Sequence, residues 1–173
     1  MIRIVSSKYA ELILASFDRL PPGMARRLEN THFFTGTSPI YAGLFDYEKT
    51  TDGRSYHTEW CVAYSHHLKK LSRKYRETTI IMPEHSPGGY PMALLPMILI
   101  HELGHVLDEI LGFCHIALPV TKYAGVNREE AFAEAFTSWL NPGYGQFYKQ
   151  SHSVDEKTLG LFRELEEVWG IAV

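Results

Sequence analysis

The segment "PMILIHELGHVLDEILGF", residues 96 to 113, constrains this chain more than any other. Its apolar residues recur at helical spacing, so it must bury a face, yet His101, Glu102 and His105 stand where Leu or Val would pack better. Burying polar groups is costly unless something satisfies them. Residues four apart on a helix share a face, with Cβ atoms about 5–6 Å apart, so His101 and His105 can aim both imidazoles at one ion. Glu102, turned by about 100° from His101, is badly placed as a third ligand there but well placed to reach an attacking water. This is the HExxH pattern: two His bind zinc and the Glu serves as general base. The spacing therefore predicts one Zn2+ per chain, on a helix running from near Pro91 or Met92 to Gly112, with Pro96 in its first turn or at a kink.

A catalytic zinc needs a third protein ligand and an open fourth position. The extended metzincin motif would place it six residues after His105, where this chain has Leu111. His115 falls at the end of the helix, where an imidazole suits the helix dipole. The better source is "NREEAFAEAF", in which Glu130 and Glu134 are four apart and share a face, with Ala131, Ala133 and Ala135 keeping the surroundings slim. One carboxylate can bind the ion while the other accepts the second ring N–H of a ligand His. Glu130 is assigned as ligand and Glu134 as the orienting group, although spacing alone lets the roles be exchanged. Glu129, on another face, is expected in solvent.

"HELGHVLDE" followed by "YAGVNREEAFAEAF" resembles the zinc peptidase domain of the anthrax lethal factor-like family, which includes the clostridial Pro-Pro endopeptidases. The resemblance covers residues 76 to 140 and rests on HExxH, on Asp108 three residues after the second His, and on Tyr123 seven residues before the ligand Glu. It implies zinc held by His101, His105 and Glu130, Glu102 as base, Tyr123 donating its hydroxyl to the oxyanion, and Glu134 at the second acidic position. Asp108 is read as either solvent-exposed or behind the ligands. The implied activity is that of a gluzincin-type zinc endopeptidase acting on a peptide or protein substrate.

The remaining sequence predicts one soluble domain spanning residues 1–173, α+β and zincin-like, with a small twisted N-terminal sheet, the HExxH helix beneath it and a helical C-terminal part. Strands are expected at Ile2 to Val5, in "THFFTG" and "IYAGLFDYE", and in "TTIIM", which would form the rim of a peptide-binding cleft. "KTTDGRS" suits a hairpin turn. Helices are expected in "YAELILASFDRL", closed by Pro21-Pro22-Gly23, in "MARRLEN", "REEAFAEAFTSWL" and "VDEKTLGLFRELEEVW", the last capped by Ser153 or Asp155. No internal repeat or linker marks a domain boundary.

A net charge of -3 argues against nucleic acid or an anionic membrane as a partner of the whole chain. The basic run Lys69, Lys70, Arg73, Lys74 and Arg76 is the exception that would support a nucleic-acid-binding module. A third reading is a zinc-stabilised binding protein without catalytic activity. The longest apolar run, Met92 to Ile100, is far short of the roughly 20 residues of a membrane span. The N-terminus lacks the apolar core of a signal peptide, which predicts a cytoplasmic or intracellular protein, with non-classical export or delivery still open. Cys61 and Cys114 have no CxxC partners and are expected as buried free thiols. Nothing in the sequence indicates an oligomeric state.

Overall fold

The computed structural model describes residues 3–4, 10–36, 79–83, 95–141, 143–144 and 152–171. Its order is β1 (Arg3–Ile4), α1 (Ala10–Phe17), α2 (Pro22–Leu28), β2 (His32–Gly36), β3 (Thr79–Pro83), α3 (Leu95–Ile110), a 3-10 turn (Tyr123–Gly125), α4 (Arg128–Leu140) and α5 (Glu156–Ile171). "IYAGLFDYE", "KTTDGRS", Cys61, the basic run 69–76 and most of the loop "PEHSPGGYP" lie outside the described residues.

The expected α+β domain organised on an N-terminal sheet does not hold, because the described residues form a helical body of five α-helices. Among the described residues, β-strands are limited to β1, β2 and β3, runs of two to five residues that lie parallel in the order β1-β2-β3. The physical reason is where the apolar mass sits. One cluster of buried side chains draws on all five helices, and Phe33 of β2 and Ile80 of β3 pack into it. No helix among the described residues is long and apolar enough to cross a membrane.

Local sequence explains how the helices start and stop. Pro22 opens α2 as a first-turn proline, so "PPG" begins a helix and does not merely close α1. Gly23 is required for packing, since a Cβ there would lie 2.4 Å from the backbone carbon of Trp169 on α5. Pro96 is the second residue of α3, where its missing N–H breaks no helical bond. At the other end of α3, Gly112 N–H donates to the Glu109 carbonyl and Phe113 N–H to the Asp108 carbonyl, a Schellman ending with both residues at positive φ, 70° and 58°. That reversal carries Cys114 into solvent, correcting the expectation of a buried thiol.

Asn127 caps α4 by accepting the Glu130 N–H at 2.8 Å, and Asp155 caps α5 by accepting the Thr158 N–H at 3.0 Å. The segment between α3 and α4 is tied to α5 as well. His115 Nε2 lies 2.9 Å from the Thr158 hydroxyl, and the Leu118 N–H donates to Asp155 at 3.1 Å. Phe132 and Phe136 of α4 meet Phe162 of α5 at 5.6 Å between centroids, with Trp139 stacked on Phe162 at 5.1 Å.

Helices α3 and α4 meet at Gly104. A Cβ built there would lie 2.9 Å from Ala133 Cα and 3.3 Å from its Cβ and carbonyl oxygen. The obstacle is backbone, which cannot swing aside. Gly104→Ala is therefore expected to destabilise the protein by about 1–3 kcal/mol through overpacking, outweighing a helix-propensity gain of about 1 kcal/mol. A urea titration should give a lower midpoint, and an unchanged or higher one would show that the helices do not meet this closely.

Candidate metal centre

The close approach at Gly104 brings one face of α3 against the first two turns of α4. His101 Nε2 stands 3.0 Å from Glu130 Oε2, and His105 Nε2 stands 3.6 Å from the same oxygen. The three side chains keep only 12%, 12% and 14% of their surface exposed. One potential ligand atom from each lies within 4.8 Å of the others, and this is the metal-competent group of three found among the described residues. Glu130 sits in the first turn of α4, where its backbone is fixed by the Asn127 cap and its charge suits the positive end of the helix.

Glu134, one turn further along, approaches His101 from the opposite side, with Oε1 3.0 Å from Nδ1. Both its oxygens are engaged: Oε1 also accepts the Tyr144 hydroxyl, and Oε2 accepts the Thr121 hydroxyl at 2.6 Å. The geometry thus separates the two acids that spacing left interchangeable. Glu130 faces both imidazoles, and Glu134 faces His101 alone among the two.

Asp108 is fully buried and receives both forks of Arg128, at 3.0 and 2.7 Å. It joins α3 to the first residue of α4 and so sits behind the His101, His105 and Glu130 cluster, not in solvent. Arg128 also donates to the His115 carbonyl at 2.9 Å and lies over the Phe113 ring at 5.5 Å. Glu102 is 8% exposed. Tyr123 is half-buried in the 3-10 turn, its ring centroid 6.0 Å from that of His101. His115, paired to Thr158, is engaged away from this cluster, and its pKa is lowered by burial together with the nearby Lys157 charge.

The electrostatics follow from the spacing. Burial acts to lower the His101 pKa, but pairing with Glu130 and Glu134 outweighs it and holds the imidazolium well above its usual range. Glu130 responds in the opposite sense: burial would raise it, and His101 and His105 hold it far below the usual carboxylate range. Glu134 is likewise lowered, burial being overcome by His101, Thr121 and Tyr144.

These residues fit a zinc ion on two observations. Glu130 Oε2 is buried and accepts no aligned hydrogen bond, although two ring nitrogens converge on it. N and O donors at about 2.0–2.2 Å from a tetrahedral ion stand about 3.3–3.6 Å apart, close to the 3.0 and 3.6 Å separations found. With Nδ1 facing Glu134, His101 turns Nε2 toward the point shared with His105 and Glu130.

Sequence reasoning missed Thr121, Tyr144, Asn127 and Arg128. The cap was legible as Asn three residues before Glu130; the two hydroxyl groups carried no local signal. Comparison with family models, curated proteins and solved structures finds no match for this chain.

The raised His101 pKa sets a sign. The pairing it makes with the two carboxylates contributes fully below the free imidazole value of about 6.5 and is lost as pH rises through the raised folded value. Zinc must displace the imidazolium proton, so adding zinc to metal-free protein below the raised His101 value should release protons, and affinity should fall as pH falls. An indicator dye in weak buffer reads the release; zinc uptake without acidification would contradict the arrangement.

Proposed function

We propose that this chain is a zinc-dependent endopeptidase of the lethal factor-like kind, with His101, His105 and Glu130 as ligands. The observation that carries the reading is the convergence of the two Nε2 atoms on a buried carboxylate oxygen that accepts no aligned hydrogen bond. The motif resemblance over residues 76 to 140 supplies the substrate class, a peptide or protein.

Bound at these ligands, zinc would supply Lewis acidity, polarising a carbonyl oxygen and acidifying water. Glu102 accepts a proton from the water as its oxygen attacks the peptide carbonyl carbon, and delivers that proton to the leaving amine as the C–N bond breaks. Tyr123 donates its hydroxyl to the oxyanion of the tetrahedral intermediate. Glu134 holds His101 in the Nδ1–H tautomer, keeping Nε2 available. Asp108 and Arg128 hold the two ligand-bearing helices in register.

The set of three potential ligands among the described residues favours this reading over a zinc-stabilised binding protein, because structural zinc usually takes four protein ligands. A peptide library incubated with and without chelator separates them: chelator-sensitive cleavage is expected, and none from zinc-loaded protein would favour the scaffold. Glu102→Gln should retain zinc while hydrolysis falls by about 10²–10⁴-fold; cleavage at the wild-type rate would remove Glu102 as the base. For Glu130→Ala, elemental analysis after dialysis should show depleted zinc, and full occupancy would remove Glu130 from the ligand set.

A further inference from the structure

We infer that Thr121 is a positioning residue that couples the turn carrying Tyr123 to the ring of His101, an inference that rests on the proposed metal centre. Its side chain is buried, and its one hydroxyl is used in both directions. Oγ1 donates to Glu134 Oε2 at 2.6 Å and accepts the backbone N–H of Ala124 at 3.0 Å. A hydroxyl has one donor and two acceptor sites, so it can do both at once.

On the carboxylate side, Glu134 Oε1 takes the Tyr144 hydroxyl and faces His101 Nδ1, while Oε2 depends on Thr121. Thr121 and Tyr144 therefore hold one oxygen each, and the carboxylate cannot rotate about its axis without breaking one of these bonds. On the other side, Ala124 is the middle residue of the 3-10 turn and the direct neighbour of Tyr123. A displacement of that turn is passed through the Thr121 oxygen to the acid that orients His101. The proposed oxyanion donor and a proposed ligand are then placed by one shared joint. Valine has the shape of threonine without the hydroxyl and would leave both the Ala124 N–H and Glu134 Oε2 without this partner; serine would restore both bonds.

The test is made on the full chain, with zinc alone as the probe. Thr121→Val should exchange its Ala124 amide hydrogen about tenfold faster, with the core amide of Leu103 unchanged as a control for global unfolding. It should also lose bound zinc to a chelator roughly 10–100-fold faster, and Thr121→Ser should return both readouts to wild type. A Val variant like wild type in either readout, or a Ser variant that fails to rescue, overturns the coupling. Should wild-type protein take up no zinc, the metal-centre reading fails on its own and the joint is read in metal-free protein. There Glu134→Ala should accelerate Ala124 exchange although that amide bonds to Thr121, and unchanged exchange would overturn the inference.

Discussion

The backbone contact between Gly104 and Ala133 is the constraint on which the rest of this molecule depends. Two helices carrying ordinary side chains pack with axes about 8–10 Å apart, and bulk at this crossing would push α3 from α4. Any added separation is carried into the gaps where His101, His105 and Glu130 face one another across this crossing. A hydrogen in place of a methyl group at position 104 is what lets imidazole and carboxylate converge within 3.0 to 3.6 Å.

That convergence places several acids in a poorly hydrated interior, where each needs compensation. Asp108 receives a bidentate guanidinium, and Glu134 is met by two hydroxyl groups and an imidazole. Glu130 differs, because its buried oxygen faces two ring nitrogens and no aligned donor. Compensation is thus supplied at Asp108 and Glu134 and incomplete at one oxygen of Glu130. The asymmetry lies where a cation would supply the difference.

What could be read from the sequence was what depends on neighbours along the chain. The helix in "REEAFAEAFTSWL" occupies Arg128–Leu140 because Asn127 caps one end and Asn141-Pro142-Gly143 follows the other. His101 and His105 share a face for the same local reason. The fold class is not legible locally, because β-branched and aromatic runs such as "THFFTG" report local extension and do not tell which elements fill the core. Thr121 and Tyr144 were invisible because only tertiary folding brings their hydroxyl groups to Glu134. Cys114 looked like core by composition and is exposed because the chain reverses at Gly112 and Phe113.

Arg128 serves Asp108, the His115 carbonyl and the Phe113 ring together, which makes it a planar three-way bracket and not merely a positive charge. An ammonium group is a compact point charge and cannot reproduce the two parallel N–H vectors of a guanidinium fork. Drift at this position is therefore governed by shape: a charge-conserving exchange to lysine would keep the molecule's formal charge and still unfasten the corner where α3, its exit loop and α4 are held together.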